Sequence, residues 1–307
     1  MKFREKLAIK RVNIPHPQFL SLVYHDLFSY PLTKSELKTW EIGAGDRPRY
    51  EVFCLGSFFC LAGRSETILR RIANSREAPR KLKIARKAAR VLSILPTVKL
   101  VGVSGGLAME NAKRNDDIDL FIITSGGALW ITRLLSFLVL RLAKLRVRRF
   151  GDEDVRDKLC LNLWVDENNI SFSQRRDIYT AHEVAQTKVL FERDGIYGKF
   201  VKANKWAGEF FPNALKNSAQ RIVHSARVAS WLDGSIVGFL RLFEKQAYLF
   251  QKLYMAGKIT AERAEPGRAL FHPVLWGNDV PHMFLRRLEL ILQGRNKGFP
   301  FYSRVTD

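Results

Sequence analysis

The segment 98–124 constrains the fold of this chain more than any other. It contains two apolar runs, the first followed by Gly105 and Gly106 and the second beginning at Asp117 and Asp119. Short apolar runs bounded by turn residues predict buried β-strands. Because successive side chains of a strand point to opposite faces, Asp117 and Asp119 are predicted to lie on the same face. We therefore expect a strand that ends in a glycine turn and a following strand that begins with a carboxylate pair.

The carboxylate pair and the glycine turn together predict a phosphate and cation site. Two carboxylates on one face of a strand repel each other unless a cation lies between them. Mg2+ takes such hard oxygen ligands and completes its shell with phosphate oxygens and water. Gly105 and Gly106 lack Cβ atoms, so backbone N–H groups of the turn can approach phosphate oxygens. Ser104 could donate to a phosphate oxygen or, alternatively, cap the short helix that follows.

A glycine pair, a short helix and Asp-x-Asp on an apolar strand resemble the signature of the DNA polymerase beta-type nucleotidyltransferase superfamily. Residues 99–109, 117–124 and 158–163 are similar to a group of poorly characterised prokaryotic nucleotidyltransferase-domain proteins. The resemblance covers about residues 95–170 and extends only loosely to the flanks. It implies transfer of a nucleoside monophosphate from an NTP to an acceptor.

The resemblance also implies a cofactor and a role for each motif residue. The cofactor would be Mg2+ or Mn2+. Asp117 and Asp119 would be catalytic and hold the metal, while Ser104, Gly105 and Gly106 would bind the nucleotide.

The chain departs from the superfamily pattern at the third carboxylate, which catalytic members carry on a neighbouring strand. The next predicted strand, 158–166, has Asn162 at its middle and Asp166 only at its end. An amide oxygen can coordinate a cation, but an amide brings no charge and cannot act as a base. Asn162 and Asp166 are both candidate metal ligands. Asn162 in the third position would leave a single-metal enzyme or a non-catalytic nucleotide- or nucleic-acid-binding protein.

Basic residues outnumber acidic ones by 51 to 30, which gives a formal charge of +21. They are concentrated in two clusters, Arg64–Arg90 and Arg141–Arg149. Such an excess attracts polyanions through counterion release. A nucleic acid or another polyanion is therefore an expected partner, and the alternative is a solvated basic surface. No pattern indicates base-specific readout.

The expected fold class is α+β, in three parts. Residues 1–94 predict a winged-helix-like region and a basic connecting helix, because helix, Pro-containing turn, helix and strand pair follow one another. Thr33 or Ser35 is the expected N-cap of the second of these helices. Residues 95–170 predict a small mixed-sheet nucleotidyltransferase core. Residues 171–307 predict a helical domain, beginning with a helix from Gln174 to Glu192.

The apolar stretch 128–145 is interrupted by Arg133 and Arg141, so we expect a packed helix and no transmembrane segment. The N-terminus alternates charges instead of opening into an apolar signal sequence. The three cysteines show no Cys-x-x-Cys spacing and predict core thiols in a reducing, cytoplasmic environment. His182 is expected to be a structural or surface residue on the polar face of a helix. His272, in the loop before the last helix, could face the cleft, but we do not expect it to.

Overall fold

The computed structural model describes residues 9–218, 225–226, 231–256, 263–271 and 276–294. Helices make up 49% of the structure and strands 20%, in a mixed α/β arrangement that confirms the α+β class. The helices are α1 (His16–Asp26), α2 (Lys34–Thr39), α3 (Glu66–Leu92), α4 (Gly105–Ala108), α5 (Leu129–Leu142), α6 (Ile178–Gln186), α7 (Ile196–Ala203), α8 (Pro212–Ser218), α9 (Trp231–Arg241), α10 (Glu244–Met255) and α11 (Trp276–Leu292).

A small antiparallel sheet lies in the N-terminal region. Its strands are β1 (Lys10–Pro15), β2 (Leu32–Thr33), β3 (Arg49–Leu55) and β4 (Phe58–Cys60). Their order is β1-β3-β4-β2. Helix α2 begins with a capping box, in which the Glu36 amide donates to Thr33 Oγ1 and the Thr33 amide donates to the Glu36 carboxylate at 2.8 Å. This confirms Thr33 as the N-cap.

A larger mixed sheet forms the centre of the molecule. Its strands are β5 (Val98–Val103), β6 (Ile118–Thr124), β7 (Leu159–Asp166), β8 (Lys188–Arg193), β9 (Ser225–Ala226), β10 (Arg263–Glu265) and β11 (Arg268–Leu270). Their order is β10-β11-β7-β6-β5-β8-β9. Strand β6 pairs antiparallel with β5 and parallel with β7. The two apolar runs of segment 98–124 are thus neighbouring strands near the middle of the sheet.

The region after residue 170 is not purely helical, which corrects the sequence prediction. The helix expected over residues 174–192 ends at Gln186, and β8 follows it directly. Strand β8 pairs antiparallel with β5, with Phe191 opposite Val101, and buries its apolar residues in the central sheet. Long-range pairing of this kind overrides local helical periodicity. The sheet therefore extends beyond the predicted core at residues 95–170.

Two hydrophobic clusters pack on opposite faces of the central sheet. Phe121 and Ile123 belong to the first, and Leu120 and Ile122 belong to the second. The alternation places Asp119 on the face of the first cluster. That cluster also contains residues of α1, α6 and α8, so all three predicted regions contribute to it. The division into three domains stays a prediction.

The second cluster packs α3, α5 and α10 against the sheet. Trp130 of α5 and Trp164 of β7 are fully buried within it. Within the described ranges, no helix is both long enough and apolar enough to cross a membrane.

Candidate metal and nucleotide site

The turn that precedes β6 is anchored by a buried lysine of α3. The Lys81 side chain is fully buried, and its ammonium group donates to the Asp116 carbonyl oxygen and to Asp157 Oδ1, the latter at 2.9 Å. A buried ammonium group is tolerated only when its charge is paired and its protons are bonded. Because Asp116 directly precedes Asp117, this contact fixes the backbone from which the carboxylate pair projects.

The structure brings Asp117 and Asp119 together and adds a third side chain, Cys160. One ligand atom from each of the three lies within 4.8 Å of the other two. Cys160 reaches this position because it is the register partner of Asp119 in the parallel β6–β7 pair. The apolar neighbours of Cys160 in sequence predict a core thiol. Its contact with Asp119 depends on strand register, which a sequence pattern does not show.

Asn162, which the sequence offers as a candidate metal ligand, lies beside Asp119. The side chain of Asn162 is buried and its Nδ2 donates to Asp119 Oδ1 at 3.2 Å. This hydrogen bond orients the Asp119 carboxylate without adding charge.

Arg148 neutralises the other carboxylate. Its Nη1 donates to Asp117 Oδ2 at 2.8 Å. The Arg148 amide also donates to the Leu159 carbonyl oxygen at 2.9 Å, which places the guanidinium beside the first residues of β7. The sequence marked Arg148 only as a member of the cluster Arg141–Arg149. The sequence alone offers Arg114 or a residue of the helical region for offsetting phosphate charge, and in the structure Arg114 is exposed on the turn before β6.

The electrostatics of the site leave Asp119 short of positive charge. Burial, together with the nearby charge of Asp117, raises the pKa of Asp119 to about 7, against the lowering effects of Asn162 and Arg148. Burial and the two carboxylates raise the pKa of the Cys160 thiol well above its ordinary value. A proton or a cation at this point would relieve the same repulsion.

Helix α6 brings a further carboxylate toward the site. Burial and the charge of Asp119 raise the pKa of Glu183 to about 8. Tyr179, one turn earlier, has its pKa raised by burial and by several carboxylates that include Glu183 and Asp119. Nothing in the sequence links α6 to β6, so pattern analysis missed Glu183.

His182, also on α6, is buried, which favours the structural alternative over a surface position on the polar face of the helix. Its Nε2 lies 3.2 Å from His25 Nε2, among aromatic rings. His272 lies outside the described residues.

The glycine turn lies directly against Asp119. Gly105 has φ +59°, and a Cβ added there would lie 3.3 Å from Asp119 Oδ2. Gly105 is therefore required both for its backbone conformation and for the close approach. A Cβ at Gly106 would meet its nearest neighbour at an ordinary 3.6 Å. Ser104 makes no side-chain cap on α4, which removes the capping alternative, and its amide donates to the Asp119 carbonyl oxygen at 3.2 Å.

Asp166 is separated from this site, which corrects its candidacy as a metal ligand. In the β6–β7 pair Asp166 lies opposite Thr124, whereas Cys160 lies opposite Asp119. Five residues of strand put roughly 16 Å between the two positions. Asp166 is buried and accepts hydrogen bonds from the Gly127 amide at 3.1 Å and from Asn169 Nδ2 at 2.7 Å.

Comparison with known proteins provides no relative for this geometry. No protein-family model, no curated protein and no solved structure matches the chain. Within the described ranges, Asp117, Asp119 and Cys160 form the single group of three His, Cys, Asp or Glu side chains close enough to hold one ion. The chemistry of the site is therefore inferred from its own side chains.

Proposed function

We propose that this protein is a divalent-metal-dependent nucleotidyltransferase that moves a nucleoside monophosphate from an NTP to an acceptor. The observation that carries the proposal is the grouping of Asp117, Asp119 and Cys160 within 4.8 Å, with Gly105 directly against Asp119. Two carboxylates that lack sufficient countercharge fit Mg2+ or Mn2+. The resemblance of this segment to polymerase beta-type enzymes supports the same reaction class.

Each residue has a physical role in this proposal. Asp117 and Asp119 would hold the metal, which when bound supplies charge neutralisation for the phosphates. The absence of a Cβ at Gly105 leaves room for phosphate oxygens beside Asp119. Arg148 can offset phosphate charge with its guanidinium, while Asn162 keeps the Asp119 carboxylate oriented. Most of the catalysis would be positioning and electrostatics, as in phosphoryl transfer generally.

The donor set favours Mn2+ over Mg2+. The thiol of Cys160 is a softer ligand than the third carboxylate of the superfamily, and Mg2+ binds sulfur poorly. Coordination through Cys160 would also require loss of its thiol proton, so metal binding should strengthen as pH rises.

A second candidate function is a non-catalytic nucleotide- or nucleic-acid-binding protein on the same scaffold. The observation that favours it is Asn162, which lies against Asp119 and can neither carry charge nor accept the proton of an attacking hydroxyl. The basic clusters Arg64–Arg90 and Arg141–Arg149 are compatible with either function. For the N-terminal region we propose a winged-helix unit, which the succession of α1, α2 and the β3–β4 hairpin supports.

Label transfer from NTPs tests the first function. The protein is incubated with each α-labelled NTP, Mg2+ or Mn2+, and pools of RNA, protein or small hydroxyl and amine acceptors. We expect label in one pool, release of pyrophosphate and a higher rate with Mn2+. Asp119→Asn should lower the rate by about a hundredfold or more. Asp154→Asn, the same change on an exposed loop, is the matched control and should have no effect.

The variant Asn162→Asp separates the two functions. If Asn162 occupies the third ligand position, an acid there should increase the transfer rate, because it adds charge and a base. Absence of transfer with either metal, together with metal-dependent stabilisation by NTP, would replace the first function by the second. Absence of transfer, of stabilisation by NTP and of nucleic-acid binding would contradict both.

A further inference from the structure

A shallow cleft with a basic lining lies along the segment that follows α5. Its volume is about 480 Å3. The charged residues that line it are Arg141, Lys144, Arg146, Arg149, Lys158 and Asp152. Five cations and one carboxylate make this cleft strongly electropositive, and concave walls focus such a potential.

The single carboxylate of the lining is already engaged. Asp152 Oδ2 accepts from Lys158 Nζ at 2.8 Å and from the Arg149 amide at 2.9 Å. Among the residues that the structure describes, no carboxylate pairs with the side chains of Arg141, Lys144 or Arg149. These cations are available to an anion, and phosphate is the anion whose oxygens suit guanidinium and ammonium donors.

Two exposed apolar side chains directly follow the lining residues Arg141 and Arg149 in sequence, and we call them the apolar border of the cleft. Leu142 at the end of α5 is 73% exposed, and Phe150 just beyond the basic segment is 76% exposed. Leu134 and Leu138 precede Leu142 at intervals of four residues and are also exposed, so the three leucines form one stripe along α5. Large apolar side chains exposed in a row mark a docking surface when they occur together.

We propose that this cleft and its apolar border dock the protein on an anionic phospholipid membrane. Lipid phosphates would lie among Arg141, Lys144 and Arg149, while Leu142 and Phe150 enter the boundary between headgroups and acyl chains. Anionic lipid is the occupant that matches both the charge of the cleft and the apolar border. The inference does not depend on the proposed catalytic function.

The alternative occupants match only one half of this surface. A second copy of the chain could cover the leucine stripe, but it would bring two basic clefts together and the cations would repel. A nucleic acid would neutralise the cations but leave Leu142 and Phe150 in water. Both alternatives are outcomes of the test below.

Vesicle sedimentation of the full chain tests the proposal. The vesicles contain phosphatidylcholine alone or phosphatidylcholine mixed with phosphatidylglycerol. We expect binding only to the mixed vesicles, with weaker binding at higher salt. Lys144→Glu/Arg149→Glu should weaken the binding about tenfold or more, because each basic residue near an anionic surface contributes separately. Leu142→Ser/Phe150→Ser should weaken it by a similar factor.

Matched controls lie away from both basic clusters or away from the cleft. Lys199→Glu/Lys202→Glu makes the same change in net charge at exposed positions of α7. Leu69→Ser/Ile94→Ser removes two apolar side chains that are 67% and 73% exposed, one on α3 and one in the turn that follows it. Both controls should bind vesicles nearly as the original chain does. Thermal unfolding of every variant verifies that it is folded.

Several results would overturn the proposal. These are no binding to the mixed vesicles, equal loss in the α7 charge control, or full binding by Leu142→Ser/Phe150→Ser. If the cleft variants lose affinity for duplex RNA while vesicles are not bound, the occupant is a nucleic acid. If soluble glycerol phosphate binds and vesicles do not, the cleft takes a free phosphate. Concentration-dependent dimerisation abolished by Leu142→Ser/Phe150→Ser, without vesicle binding, assigns the surface to a second copy.

Discussion

The two ends of the β6–β7 strand pair hold carboxylates in opposite circumstances. At one end, Asp119 receives a side-chain hydrogen bond from Asn162 and lies close to the like charge of Asp117. At the other end, Asp166 receives hydrogen bonds from the Gly127 amide and from Asn169, and it holds the loop after β7 in place. Both aspartates are largely removed from water, on adjacent central strands.

The difference teaches how to separate a structural carboxylate from a functional one. A carboxylate surrounded by donors of its own chain has its charge stabilised within the fold, so it needs no ligand. A carboxylate placed beside another carboxylate keeps an excess of negative charge that the fold does not remove. Such an excess costs stability and is frequent at functional sites. Asp119 is of the second kind, which supports the metal role proposed for it.

The largest expected effect is the loss of stability in Asp166→Ala. The substitution removes the buried carboxylate that accepts hydrogen bonds from the Gly127 amide and the Asn169 side chain, which should cost about 2 to 4 kcal/mol of unfolding free energy. Urea denaturation followed by circular dichroism measures it. Mn2+ affinity of the folded variant should remain within about twofold, since the site lies roughly 16 Å away along the strands. A large loss of Mn2+ affinity with unchanged stability would reverse the assignment of the two ends.

The second expected effect is a gain of stability in place of a loss. Asp119→Asn should stabilise the metal-free protein at pH 8 by about 1 to 3 kcal/mol, because it removes a charge that the fold disfavours. The folded pKa of Asp119, about 7, lies above the ordinary value of 3.8. The cost of its charge is therefore complete above pH 7 and disappears as pH falls from 7 toward 4, and the gain of the variant should shrink over that window.

Urea unfolding at pH 8 and pH 5 measures this gain, with Asp154→Asn as the control for loss of an exposed charge. If Asp119→Asn destabilises the protein at pH 8 as much as Asp166→Ala does, the two ends are equivalent and the comparison fails.

The sequence predicted what depends on local pattern and missed what depends on strand register and tertiary contact. Local alternation and turn chemistry are sufficient for β5, β6, the glycine turn and an N-cap at Thr33 or Ser35, and the structure selects Thr33. Cys160 and Asp166 lie on one predicted strand, and only its parallel register against β6 shows that Cys160 adjoins Asp119 and Asp166 does not.

No local sequence pattern could identify Arg148 and Glu183 as residues of the site, because other segments of the chain supply them. Arg148 comes from a segment that passes beside the start of β7, and Glu183 comes from a helix that packs on the sheet face. Strand β8 was predicted as helix because its burial is supplied by pairing with β5, far away in sequence.

The smallest expected effect concerns Arg148, which contacts Asp117 at the end of the β6–β7 pair that carries the two close carboxylates. Its side chain is 45% exposed, so the Arg148–Asp117 ion pair contributes little to the fold, and Arg148→Gln should change the unfolding free energy by less than about 1 kcal/mol.

The same variant should change the affinity for Mn2+ and the affinity for a Mn2+–NTP complex differently. Mn2+ alone should bind about two- to fivefold more tightly, because the variant removes a positive charge that competes for Asp117. A Mn2+–NTP complex should gain less or bind more weakly, because the phosphates lose a guanidinium donor. Isothermal titration calorimetry with each ligand measures the two shifts. Arg149→Gln removes the same charge one residue away, and it should leave Mn2+ binding nearly unchanged. Equal effects of the two variants would mean that Arg148 acts only through net charge. The contact of Arg148 with Asp117 would then not distinguish the carboxylate pair from any other group of acidic residues.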